Sequence, residues 1–301
     1  MEHYFSLNSY LRKCFGEKLY KLALDGGFSC PNRDGSLGTR GCIFCSGAGS
    51  GDFAVRAAED MPAAIERAKA VVSAKARGGR YIAYFQSFTG TYAPIERLEA
   101  LYTAAIAHPD IAVLSIGTRP DCLGDEVLTL LERLNRIKPV WVELGLQTVH
   151  PGTARYIRRG YELPVFDEAV KKLKAIGINV IVHMIIGLPG ESADMIYETA
   201  RYIGASGADG VKFQLLHILR GTDLAADYAA GRFKALELEE YTELLMGCIQ
   251  RIPPGMVVHR ITGDGAKREL IAPLWSGDKK RVLNYINRAF DKAGLRQGSA
   301  L

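Results

Sequence analysis

The 301-residue chain has no apolar run of about 18 residues, so no membrane-spanning helix is predicted. Its first stretch, MEHYFSLNSYLRKCFGEK, is charged and aromatic throughout and lacks the apolar core of a secretory signal, which points to a cytoplasmic protein. Cysteine is scarce: the six present are too few and too unevenly spread to be a disulfide framework in a chain of this length. No low-complexity tract, short-period repeat or obvious appended RNA-binding module is found. Charge is also unevenly placed. The net charge is +5, and Arg260 to Leu301 carry nine Lys/Arg against four Asp/Glu, so the whole excess lies in that stretch. Such a basic face suits nucleic acid or another polyanion, and equally a solvated helix surface.

What is present is alternation. Apolar, β-branched runs over 20–25, 81–86, 111–117, 139–147, 178–187 and 210–218 are expected as strands. Helical patterns over 59–78, 93–108, 124–136, 163–177 and 191–207 lie between them, the last two closed by Gly177 and Gly207. Strands apolar on both faces, each followed by a helix, imply a parallel sheet. The α/β fold expected is a partial (β/α)6 TIM-type barrel with short N- and C-terminal extensions. Residues 1–220 are expected to form the barrel. Residues 221–301 are expected as a helical, basic extension packed on it, with helices over 236–252 and 278–294 and a short strand over 256–261.

In such folds chemistry sits at the C-terminal ends of the strands. Those ends carry Gln86-Ser87, Thr118-Arg119-Pro120-Asp121, Gln147-Thr148, Gly187-Leu188-Pro189-Gly190 and His217. Polar or conformationally special residues recur at one point of each unit, as a shared pocket requires.

Three of the six cysteines fall within sixteen residues, CPNRDGSLGTRGCIFC, just after the first strand. Cys42 and Cys45 form a C-x2-C pair, and Cys30 precedes them by eleven intervening residues. Three thiolates hold a [4Fe–4S] cluster by three irons and leave the fourth open for a ligand. A structural zinc site wants four ligands, and the loop offers no second pair. Spacing therefore favours iron–sulfur over zinc without excluding the latter. Phe44 stands where an aromatic ring can lie against a flat base, and the surrounding glycines permit tight turns.

The chain resembles the radical S-adenosylmethionine superfamily, and within it the bacterial group close to the Elongator catalytic subunit. The resemblance is carried by LDGGFSCPNRDG, GCIFCSGAGSGDF, TRPDCL, ELGLQT, RRGY and RGTDLA, in order along almost the whole chain. The usual superfamily loop is C-x3-C-x2-C; the wider first gap here is a feature of the subgroup. The resemblance implies a [4Fe–4S] cluster on Cys30, Cys42 and Cys45, with S-adenosylmethionine on the open iron. It also implies a 5′-deoxyadenosyl radical that takes a hydrogen atom from substrate.

Cofactor binding is then expected from Phe44, Gln86, Ser87, Thr118, Gln147 (ribose), Arg159 (methionine carboxylate, in preference to Arg158), His183 and Leu188 (adenine). A lone histidine inside a strand, such as His183, is also a common core residue. Glu143 is expected to pair with Arg119.

The implied substrate is the wobble uridine of tRNA, with 5-carboxymethylaminomethyluridine converted to 5-aminomethyluridine. Hydrogen abstraction from the CH2 between amine and carboxylate, loss of a second electron and hydrolysis of the imine would release a two-carbon fragment. Arg119 or Arg220 is expected to hold the carboxylate. A one-electron reductase such as flavodoxin or ferredoxin and a downstream methyltransferase are the protein partners implied. Two alternatives stay open: a radical enzyme on a peptide or small metabolite, and a zinc-dependent RNA-binding protein without activity.

Overall fold

The barrel strands form where the apolar, β-branched runs lie, and helices fill the amphipathic stretches between them. The computed structural model describes residues 2–49, 51–57, 60–74, 76, 79–263, 265 and 267–301. Helix α1 (Leu7–Phe15) precedes β1 (Tyr20–Asp25). After the cysteine loop come β2 (Val55–Arg56), α2 (Met61–Val72), β3 (Tyr81–Phe85), α3 (Ile95–Ala107), β4 (Ile111–Thr118) and α4 (Asp125–Asn135). Then follow β5 (Val140–Gln147), α5 (Pro151–Tyr156), α6 (Leu163–Ala175), β6 (Asn179–Ile186), α7 (Ala193–Ala205) and β7 (Gly210–Leu215). The last part holds β8 (Ile218–Leu219), α8 (Asp223–Ala229), α9 (Leu238–Gln250), β9 (Val257–Arg260), β10 (Leu270–Ala272) and α10 (Lys279–Ala293).

One sheet runs β2-β1-β3-β4-β5-β6-β7-β9, parallel at every pairing, with no pairing between its two edges among the described residues. It is the partial barrel expected from the six long runs, widened by a short strand at each edge. The sixth run, expected over 210–218, stops at Leu215 because Ile218 and Leu219 pair antiparallel with β10 instead. The helix expected over 59–78 ends at Val72; positions 59, 75, 77 and 78 of that expectation lie outside the described residues. Helix α1 was not expected. Ser6 caps it by accepting from the Ser9 N–H, and Gly16 ends it at φ 76°, a left-handed turn without penalty for glycine.

The interior face of the barrel is layered. Alternate residues of a strand share a face, so each strand sends one side chain to each layer. At the bottom Ile82, Val113, Trp141 and Ile181 pack with Leu11 of α1 and Leu19, sealing that end. One step further along the strands stand Tyr84, Ser115, Glu143 and His183, joined by Lys21 and Lys212. Above them the barrel is open. Outside the sheet, the helices bury a continuous apolar core that includes Leu131, Phe166, Ile203 and Tyr241. A smaller cluster of Ile43, Ile157, Ile185, Leu188, Leu216, Ile218 and Leu224 supports the cysteine loop. The last quarter of the chain shares these layers: β9 pairs with β7, and α9 buries Leu245 and Ile249 completely.

Candidate active site

The cysteine loop closes over the open end of the barrel. Asn32 fastens it: its Nδ2 donates to the Arg158 carbonyl at 2.7 Å and reaches Cys42 Sγ at 3.4 Å. The Ile43 N–H donates to the Ile157 carbonyl at 3.2 Å, and the Arg33 guanidinium donates to the carbonyls of Cys45 and Ser46 at 3.1 and 2.7 Å. Gly41 sits at φ 73°, a conformation glycine adopts without strain, and a Cβ there would crowd the Arg33 guanidinium at 2.8 Å.

Below the loop is a cavity of about 1540 Å³ lined by Cys30, Cys42, Cys45 and Phe44 together with the barrel's polar layer. None of the six cysteines forms a disulfide. The donor set suits an iron–sulfur cluster. All three thiols line one cavity, so one loop can hold three irons of a cluster and leave the fourth open. Burial pushes the Cys42 thiol up to about 11, with Cys45 adding to it, so its ionisation needs the charge that a metal supplies. The ends of the strands leave acceptors for a second ligand. Gln147, at φ 68° on the irregular end of β5, keeps its buried Oε1 without a hydrogen-bond partner while lining the cavity.

Gln86, Thr118, Gln147, Arg159 and His183 are brought to this one cavity with Phe44 and the cysteines. Thr118 is held by Thr91, whose hydroxyl lies 2.6 Å away. Ser87 and Leu188 do not line it. Ser87 is buried behind the strand end, its Oγ without a partner, and Leu188 packs in the apolar cluster under the loop.

The expected arginine roles need correction. Arg159 Nη1 donates to the carbonyls of Leu146 (3.3 Å) and Thr148 (2.7 Å), while its Nε and Nη2 donate to the Tyr161 carbonyl. A guanidinium so occupied works as a clamp on the β5–α5 connection, more than as a carboxylate ligand. Arg119 is bound bidentately to Asp121 at 2.9 and 2.7 Å and donates to the Arg159 carbonyl, so its charge is already committed. Arg220 is exposed and lies outside the cavity lining.

Glu143 does not meet Arg119 either. Its Oε1 accepts from Lys21 Nζ at 2.6 Å and Ser115 Oγ at 2.8 Å, and its Oε2 accepts from Lys212 Nζ and lies 2.7 Å from His183 Nε2. Burial alone would raise the Glu143 carboxyl, but Lys21 and Lys212 outweigh it and hold it well below the usual range. Burial, then Lys212, lowers His183 to about 4, so at neutral pH the ring is uncharged and donates to Glu143. Burial lowers Lys212 strongly, with Lys21 and Arg260 adding to the effect. Lys21 and Lys212 were missed from sequence because each is a single lysine in an apolar strand run. The available signal was positional: both alternate with core residues on the inward face. Tyr84 lines the cavity, whereas Met184 is fully buried in the outer core.

The C-terminal stretch completes the wall. Arg260, Lys267, Arg268, Lys279 and Lys280 line the cavity, which among the described residues has ten Lys/Arg side chains against four Asp/Glu. The cavity is therefore electropositive from floor to mouth.

Comparison with known proteins agrees with this geometry. The profile of the Radical SAM superfamily matches residues 36–203, and that of the Radical_SAM C-terminal domain matches 208–292. YtqA of Bacillus subtilis (strain 168) is 45% identical over 297 residues, covering 99% of this chain and 92% of its own length. A tRNA uridine(34) acetyltransferase of Methanocaldococcus infernus is 27% identical over 187 residues, covering 61% of this chain and 34% of its own. Among solved structures, archaeal Methanocaldococcus infernus Elp3 lacking its N-terminus superposes with a TM-score of 0.69 at 19% identity. That match covers 93% of this chain but 64% of the Elp3 chain, so what is shared is the fold.

Proposed function

The chain belongs to the radical S-adenosylmethionine superfamily, and on that premise we propose that it modifies the wobble uridine of tRNA, converting 5-carboxymethylaminomethyluridine to 5-aminomethyluridine. Members of the superfamily are enzymes that use a [4Fe–4S] cluster and S-adenosylmethionine. When bound, these supply one-electron chemistry able to break an unactivated C–H bond. Cys30, Cys42 and Cys45 are the residues that would hold the cluster. Phe44, Gln86, Thr118 and Gln147 surround the space in which the cofactor would lie.

The observation that carries the tRNA reading is the electropositive cavity, with its ten cationic side chains to four acidic ones among the described residues. A phosphodiester backbone is drawn to such a surface. The partial similarity to a tRNA uridine(34) acetyltransferase supports the same substrate class. In this reading residues 221–301 work as part of the barrel's site and not as an independent module. Their basic side chains meet the RNA, while the barrel encloses the modified base and keeps water from the reacting carbon. The reaction requires a one-electron donor such as flavodoxin or ferredoxin, and its amine product suits a methyltransferase acting next. Among the described residues no helix is long and apolar enough to cross a membrane.

The test is anaerobic turnover of tRNA that carries the carboxymethylaminomethyl group, followed by nucleoside mass spectrometry. Conversion to 5-aminomethyluridine, dependent on reductant and S-adenosylmethionine, is expected. Unchanged nucleosides with a fully loaded enzyme would overturn the tRNA reading and return a peptide or small-metabolite substrate to the front.

A further inference from the structure

The floor of the cavity carries more positive charge than its own acid neutralises. Lys21 and Lys212 both contact the single carboxylate of Glu143, one on each oxygen. Lys212 is 3% exposed, and besides Glu143 its ammonium reaches the Tyr84 hydroxyl at 3.2 Å. Arg260 stands beside it in register on the neighbouring strand and lines the same cavity. Two ammoniums on one buried carboxylate leave a surplus that a low-dielectric interior tolerates poorly. The system can relieve it by shedding a proton from Lys212, the direction in which burial and its cationic neighbours push it. It can equally relieve it by admitting an anion.

We propose that this floor is a seat for a carboxylate of the substrate, held by Lys212 and Lys21, with Glu143 as the internal counter-ion that keeps both lysines aimed. The geometry favours a carboxylate on a short arm over a backbone phosphate. Glu143 lies four residues before the end of β5, roughly 13 Å below the mouth along the strand. A backbone phosphodiester, bridged on both sides to sugars, cannot descend that far, whereas a terminal group on a base substituent can. Lys212 takes the place that Arg119 and Arg220 cannot fill, since one is committed to Asp121 and the other is exposed. The identification of the carboxylate as that of an N-substituted glycine rests on the proposed function; the seat itself does not.

Two measurements separate these. In the first, sarcosine (N-methylglycine) is titrated into wild type and Lys212→Met without RNA and followed by NMR. Binding by wild type that is lost in the variant is expected. In the second, anticodon stem-loops with 5-carboxymethylaminomethyluridine or 5-aminomethyluridine are compared by fluorescence anisotropy. Wild type should prefer the carboxylated RNA by about tenfold or more, the worth of a charged hydrogen bond. Lys212→Met should lose the preference. Lys21→Met serves if Lys212→Met fails to fold. A preference undiminished in both variants, or sarcosine bound equally without Lys212, would overturn the seat and leave the tRNA reading standing. Sarcosine bound through Lys212 with no affinity for either RNA would keep the seat and remove tRNA. No sarcosine binding and no RNA preference in wild type would overturn the seat, and no RNA binding at all would overturn the tRNA reading with it.

Discussion

Asn32 and Arg158 are 126 residues apart, yet the Asn32 Nδ2 donates to the Arg158 carbonyl at 2.7 Å, and the same amide reaches Cys42 Sγ at 3.4 Å. One side chain thus ties the cysteine loop to the far side of the barrel mouth. Arg158 is left-handed at φ 57°, which turns its carbonyl toward the loop.

Asn32→Ala should leave the barrel folded, cost about 1–3 kcal/mol for the unsatisfied carbonyl, and loosen the loop's grip on iron. Partners of metal ligands are typically worth roughly 10–100-fold in affinity. Iron retained after anaerobic reconstitution and gel filtration checks this. Retention equal to wild type would show that the loop holds its shape without Asn32.

Replacing Cys30, Cys42 or Cys45 singly by Ala should abolish the reduced-cluster EPR signal. Cys14→Ala and Cys248→Ala should not, since Cys14 is exposed, Cys248 is fully buried on α9, and neither lines the cavity. A persistent, wild-type signal in any of the three loop variants would remove that cysteine from the ligand set.

Glu143→Leu should destabilise the barrel by about 3–5 kcal/mol, because it strands Lys21 and Lys212 without their shared counter-ion. Thermal unfolding measures it. The double replacement of Glu143 and Lys212 by Leu and Met should recover much of the loss, and an equal or greater loss would show that charge is not what the site depends on.

Stability should fall as pH drops from about 6.5, the ordinary histidine value, toward 4. His183 is lowered to about 4, so below the ordinary value the unfolded chain takes up a proton that the folded chain refuses. Burial lowers His259 in the same direction, so His183→Gln should remove part of the slope and not all of it. Unfolding midpoints across that window, compared between wild type and variant, provide the check. Parallel profiles would show that His183 titrates normally.

Lys279→Glu with Lys280→Glu should weaken tRNA binding without altering cluster content. The salt dependence of binding should also become shallower, by roughly one unit for each phosphate that the protein no longer neutralises. An unchanged salt slope would place the RNA on another face.

Much of this protein is determined locally. Five of the six barrel runs form within a residue or so of their expected bounds, because an apolar, β-branched run between two helical patterns has little alternative to a buried parallel strand. The cysteine trio is grouped in the sequence itself, since all three lie on one loop, and the fold turns them to one cavity. Helix α1 was overlooked: its nine residues bury only Leu11, although Ser6 and Gly16 mark its two ends in the sequence. The partners of the charged residues were not legible. Arg119 at a strand end and Arg159 in the connection after α5 both look like free cations in the sequence, and only the fold shows their guanidiniums committed to Asp121 and to backbone carbonyls. Lys21, Glu143 and Lys212 come from three separate strands, and nothing near any of them in the chain names the others. Period-two alternation turns each inward, but the stagger of the strands puts them at one depth, so the tertiary structure alone converts three isolated charges into the floor of a site.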